Sequence, residues 1–158
     1  MGIESRSAFH LKGWLSARIK RAGEEDWLDV WVKPIENLIT SAGLAQAALL
    51  LGDDTADAFD YGAIGEGTTP ATVGDTALES EVDRLSASFS RETTTYSNDT
   101  GKWVTTHTAP GGGWSVTEYS LVTASSGGVI YNRVVFTAIT VAATDQLEFT
   151  YKSQVTAV

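Results

Sequence analysis

Tyr61-Gly-Ala-Ile-Gly-Glu-Gly-Thr-Thr-Pro-Ala-Thr-Val-Gly-Asp-Thr-Ala-Leu-Glu-Ser-Glu-Val-Asp-Arg84 is the stretch on which the reading of this chain turns. A strand-like start runs into two glycines, Gly65 and Gly67, which open backbone angles closed to other residues. Pro70 holds Thr69 extended. Asp75 or Thr76 can cap a following turn, and Thr76 with Glu79 has the spacing of a capping box. Arg84 then opens a long β-type run. The segment therefore reads as strand, loop, short helix, strand.

Glycines beside a helix start invite a phosphate-loop reading, which fails on two counts. There is no lysine between Gly62 and Arg84, and Glu66, Asp75, Glu79, Glu81 and Asp83 make the loop acidic. The dinucleotide fingerprint fails because Gly65-Glu-Gly-Thr-Thr-Pro lacks its third glycine. A structural turn is the better reading.

Downstream the chain reads as β to its end. In Arg84–Ser97, Leu85, Ala87 and Phe89 alternate with Ser86, Ser88 and Ser90. Lys102–Thr108, Trp114–Ala124 and Val129–Thr140 follow, broken by Asn98-Asp-Thr-Gly101, Pro110-Gly-Gly-Gly113 and Ser125-Ser-Gly-Gly128. In the last strand Leu147, Phe149 and Tyr151 stand opposite Glu148, Thr150 and Lys152. Short strands separated by turn signals predict an antiparallel sandwich or barrel.

Upstream, residues 40–51 predict one helix, capped by Thr40 or Ser41 and stopped at Gly52. It is uncharged and apolar nearly all round, which predicts burial. The acids of Asp53-Asp-Thr-Ala-Asp57 are bunched, without the spacing of a calcium loop. Residues 1–33 read as a separate unit: an arm, then a hairpin of Leu11–Arg21 and Trp27–Lys33. Trp14, Trp27 and Trp31 put three of the five tryptophans there, and with Arg18, Lys20 and Arg21 they are candidate contact residues. Residues 34–158 form the body.

Net charge is −9, unevenly spread: residues 1–33 hold six Lys/Arg against five Asp/Glu, the rest five against fifteen. An acidic body disfavours nucleic acid as a partner. Without cysteine there is neither a disulfide framework nor a thiolate metal site. No run is long enough to predict a membrane span or a signal-peptide core. The two histidines, His10 in the arm and His107 read as a surface strand residue, form no metal or nucleophile spacing. Paired acids such as Glu79 and Glu81 do not predict a glycosidase cleft. The expectation is a non-enzyme with no cofactor and no metal.

Several motifs together resemble a family of tailed-bacteriophage virion proteins. They are Asn37-Leu-Ile-Thr40 with Gly43, Ala63-Ile-Gly-Glu-Gly-Thr-Thr69, and Asp75-Thr-Ala-Leu78 with Glu81 and Arg84. They continue as Glu118 and Leu121, Ser126-Gly-Gly128, Asn132-Arg133 with Phe136, and Leu147 to Val155, so that the resemblance spans about residues 36–156. It implies a virion structural protein: a capsid decoration or cement subunit, or else a tail-fibre or tail-tip connector component. Implied with it are a virion location after assembly in the host cytoplasm, contact with the major capsid protein or other virion proteins, and homo-oligomerisation. Arg84, Glu118 and Arg133, charged residues inside β runs, are expected to pair or to bind loop carbonyls beneath the Gly65–Thr69 turn. A rival of another class is a carbohydrate-binding sandwich that uses Trp103 or Trp114 as a stacking platform.

Overall fold

Alternation along the strands sets the architecture, because side chains on a strand point to opposite faces by turns. The computed structural model describes residues 9–157. Within them it holds eleven strands and one helix in two antiparallel sheets, an open β-sandwich and not a closed barrel.

The first sheet runs in the order β2 (Leu28–Asp29), β1 (Phe9–Lys20), β11 (Gln146–Ala157), β8 (Thr100–Thr108), β7 (Ser88–Glu92), with β3 (Ile35–Glu36) also paired to β1. The second runs β4 (Leu38–Ile39), β10 (Asn132–Val141), β9 (Trp114–Val122), β5 (Tyr61–Gly65), β6 (Glu81–Ser86). The predicted Arg84–Ser97 run is thus two strands. The chain leaves one sheet for the other at Ala87, whose N–H donates to the Asp60 carbonyl (2.8 Å).

Between the sheets lies one continuous core. Leu15, Ala17 and Ile19 come from β1, Val116, Tyr119 and Leu121 from β9, and Leu147, Phe149 and Tyr151 from β11. An aromatic column runs through it: Tyr119 packs on Phe149 (centroids 5.0 Å) and Tyr131 on Tyr151 (6.0 Å). Phe59 packs in turn on Tyr131 (4.8 Å).

Two expectations about the first third of the chain change here. Residues 9–33 are not a unit apart from the body. Strand β1 pairs along its whole length with β11, from Phe9↔Ala157 to Lys20↔Gln146, and its inward residues belong to the common core. The hairpin exists only as the short β1–β2 pairing, Arg18↔Asp29 and Ile19↔Leu28. Residues 1–8 of the expected arm lie outside the described residues.

The second change concerns the helix, α1 (Ser41–Leu50). Thr40 caps it as expected, accepting from the Gly43 N–H (3.0 Å) and donating to the Ile130 carbonyl (2.9 Å). It is not buried, however: within the helix only Gly43 is. A Cβ at Gly43 would collide with the Tyr131 carbonyl, so the missing side chain is what lets the first turn sit on strand backbone. Beyond that turn the leucines face outward.

Candidate functional site

Beneath the long β5–β6 loop, Glu118 and Arg133 stand side by side on neighbouring strands β9 and β10. Both are buried, and Arg133 Nε donates to Glu118 Oε2 (2.8 Å). The other acceptors of Glu118 meet backbone amides: Gly67 N (3.1 Å) and Ser80 N (2.8 Å) on Oε1, Glu79 N (3.1 Å) on Oε2. Of the two expected arrangements, pairing or binding of loop carbonyls, Glu118 and Arg133 adopt the pair, and the loop is held through N–H donors to Glu118. Arg133 Nη1 also donates to Asp75 (3.0 Å), which in turn accepts from the Thr72 amide and hydroxyl. Buried charges persist only when paired and hydrogen-bonded, and this pair satisfies both conditions.

These bonds explain why the predicted helix after Asp75 does not form. Glu79 turns its carboxylate to the Thr69 amide (2.8 Å) and hydroxyl (2.7 Å), while its own amide is taken by Glu118. Pro70 follows Thr69 on the exposed rim of the same loop. The two glycines have a different rationale from the one expected, for neither Gly65 nor Gly67 has a positive φ. A Cβ on Gly67 would lie 2.6 Å from Glu118 Oε1, and one on Gly65 would collide with the same carboxylate oxygen. Glycine is required there because the carboxylate approaches the backbone so closely. Arg84 does not join this pair. It forks onto Glu81 (2.8 and 2.6 Å) and donates to the carbonyls of Ala124 (2.7 Å) and Gly127 (2.8 Å), holding the β9–β10 turn.

The solvent face of the first sheet collects bases. Lys12, Trp14, Arg18 and Lys20 alternate along β1; Trp14 is opposite Lys152, which is opposite Lys102. Trp27 lies under the Arg18 guanidinium (4.8 Å to the ring centroid) and Lys20 Nζ (5.4 Å), a cation–π arrangement. Five of the chain's eleven Lys/Arg stand on this face beside Asp29, Glu36, Glu92 and Glu148, leaving six bases against sixteen acids elsewhere. Of the remaining contact candidates, Trp31 packs inward on Phe136 (5.0 Å) and Phe149 (6.4 Å). Arg21 is bound to Asp145 (2.7 Å) and the Thr140 carbonyl, which makes it a clamp for the β10–β11 turn.

On the opposite, inward side of the same sheet an open apolar groove of about 580 Å³ separates α1 from β7 and β8. One helix face (Leu44, Ala47, Ala48, Leu51) forms one wall; Phe89 and Trp103 form the other. Trp103 packs against Phe89 (4.9 Å) and Tyr151 (6.1 Å), and Trp114 packs against the core, so both expected stacking platforms are engaged by neighbouring side chains. At the groove's end Asp99 accepts from the amides of Thr94, Thr95 and Tyr96 and from Gln154. Those bonds outweigh burial and hold its carboxyl well below the usual range.

His107 is the other residue the sequence misplaced. It is fully buried, with Nδ1 2.7 Å from Asp83 Oδ2 and Nε2 without a partner. Burial pushes its pKa down, partly offset by the Asp83 carboxylate. His10 lies on β1 opposite Thr156 and is exposed. No group of three His, Asp or Glu side chains able to hold a metal ion occurs among the described residues, and none of their helices is long and apolar enough to cross a membrane.

Fold and surface together define a two-sheet antiparallel sandwich with a pinned loop, a basic-aromatic sheet face and an apolar groove. No family model, curated protein or solved structure matches the chain.

Proposed function

We propose that this chain is a non-enzymatic structural subunit of a tailed-phage virion, a capsid decoration protein that adheres to a shell through the outer face of its first sheet. The bacteriophage assignment rests on the motif resemblance across residues 36–156. The observation that supports an adhesive role is the charge division. A chain of net −9 sets Lys12, Arg18, Lys20, Lys102 and Lys152, with Trp14 and Trp27, on one sheet face. Arg18 is paired with Glu148, and Lys102 and Lys152 with Glu92, so five bases against four acids leave this face at +1 and the rest at −10. An acidic neighbour is steered to such a face and repelled by the others. Trp27 under two cations supplies a stiff aromatic contact of the kind that anchors interfaces.

Each contact need not be tight, because a repeating shell multiplies weak contacts. The test is occupancy of purified particles by the wild-type chain and by an Arg18→Glu/Lys20→Glu variant. The wild type is expected at a fixed copy number, and the variant at sharply reduced occupancy, with a cooperative melt retained at a somewhat lower temperature because Arg18 gives up Glu148 (2.6 Å) and Trp27. Equal occupancy would refute the role assigned to this face.

A further inference from the structure

Helix α1 is uncharged and apolar nearly all round, with Ser41 and Gln46 its only polar residues, but it is covered on only one side. Gly43 docks its first turn and Ala47 touches the core. After that Leu44, Leu50 and Leu51, which line the groove, remain 49, 39 and 79% exposed. Across the groove Phe89 and Val155 are 55 and 47% exposed. An uncharged helix whose groove side is wholly Ala and Leu has no polar residue there to meet water, and a contiguous apolar patch of this kind marks a protein contact.

We propose that a second copy of this chain covers the patch, with the helix and groove of one copy packed on those of the other about a twofold axis. The same surface carries both a ridge and a slot: Leu51 projects at the helix end, and the groove opens beside it. A twofold contact needs that self-complementarity, because each copy presents the same patch. Charge favours the same arrangement. The groove lining holds Arg91 and an Asp99 already engaged by backbone amides, on a chain of net −9. Two equally acidic copies meet with least repulsion where net charge is absent.

Area is sufficient as well. The exposed portions of those five residues amount to roughly 500 Å² per copy, so a pair buries on the order of 1,000 Å², the least a specific interface needs, before any other lining residue is counted. The groove lies on the inward side of the first sheet, so pairing leaves the basic outer face free for a shell. The resemblance implies homo-oligomerisation without a surface; the helix and groove supply one, on observations independent of the decoration reading.

Sedimentation equilibrium of the full chain over a concentration series tests it. The wild type is expected to dimerise. Leu44→Glu/Leu51→Glu, at positions that are exposed in the single chain, is expected to weaken association by ~100-fold or more, as loss of a central contact does. Phe89→Glu on the opposite wall should do the same, and circular dichroism should show both variants folded. A wild type that sediments as a monomer throughout overturns the proposal, as does a charged variant that associates as tightly as the wild type. Neither result touches the virion reading, which particle occupancy tests separately.

Discussion

Replacing Glu118 by glutamine removes one charge from the centre of the loop anchor and leaves its shape unchanged. In the wild type both oxygens face donors only: Gly67 N and Ser80 N on one, Glu79 N and Arg133 Nε on the other. A glutamine must turn its NH₂ toward one of these pairs, so two bonds are lost and donor faces donor. In either orientation Arg133, with its side chain 4% exposed, keeps as charged partners only Asp75 (3.0 Å) and a long contact to Glu79 (3.4 Å). Breaking a buried pair by removing one partner costs about 3–5 kcal/mol. For a chain of this size each kcal/mol shifts Tm by about 2–4 °C, so a fall of about 10 °C is expected. Calorimetry supplies the number, and amide exchange supplies the locality: Gly67, Glu79 and Ser80 should lose protection before strands β1 and β11 do. A Tm within about 2 °C of wild type would mean that the loop is held by other contacts and that the account of Gly65 and Gly67 is wrong.

Other perturbations have outcomes of equally definite sign. Gly43→Ala gains up to about 1 kcal/mol of helix propensity. It also drives a Cβ into the Tyr131 carbonyl, an overpacking worth about 1–3 kcal/mol, so Tm should fall. Burial places the folded pKa of His107 below the unfolded value of 6.5, so the unfolded chain takes up this proton first. That contribution to stability is complete above pH 6.5 and is lost as pH falls from there through the folded value. His107→Phe should abolish this upper slope in Tm against pH. It should leave the lower one, below the ordinary values of 3.8 and 4.5, where Asp145 (bonded to Arg21) and Glu92 (bonded to Lys152 and Lys102) are held down and lose their stabilising partners on protonation. Deleting residues 1–33 removes the full-length partner of β11 together with Leu15, Ala17 and Ile19. The remainder should show no cooperative melt by circular dichroism.

Alternation made the sandwich legible, since Leu147, Phe149 and Tyr151 against Glu148, Thr150 and Lys152 fixes which face of β11 is inward. Pairing partners are a different matter. Nothing local to Leu11–Arg21 records that its neighbour in the sheet is the last strand, well over a hundred residues away, so it reads as a detachable hairpin. The helix shows another limit. Ala and Leu on nearly all sides declare that most of the surface is apolar, but not whether the chain itself supplies the cover, and here Gly43 docks one turn and leaves the rest open.

At the anchor, Glu118 and Arg133 stand out in the sequence as charges inside β runs. That Glu118 would accept amides could not be read, because strand spacing says nothing of how closely a loop approaches. Thr76 and Glu79 have capping-box spacing, but the carboxylate of Glu79 finds Thr69 first. His107 sits between threonines that look solvated, and only the β8 register shows it turned inward beside Phe149. Asp99 and Asp145 each hold a turn, beside Asn98 (φ 58°) and Thr144 (φ 65°) respectively; the first was legible in Asn98-Asp-Thr-Gly101, whereas the second had no glycine or proline to mark it.

The most direct trial of the adhesive reading is to quantify this chain in gradient-purified particles assembled from a genome that encodes it, with a label marking its place. The account predicts a fixed copy number on the particle surface, lowered by Arg18→Glu/Lys20→Glu. Particles that lack the chain altogether would contradict it.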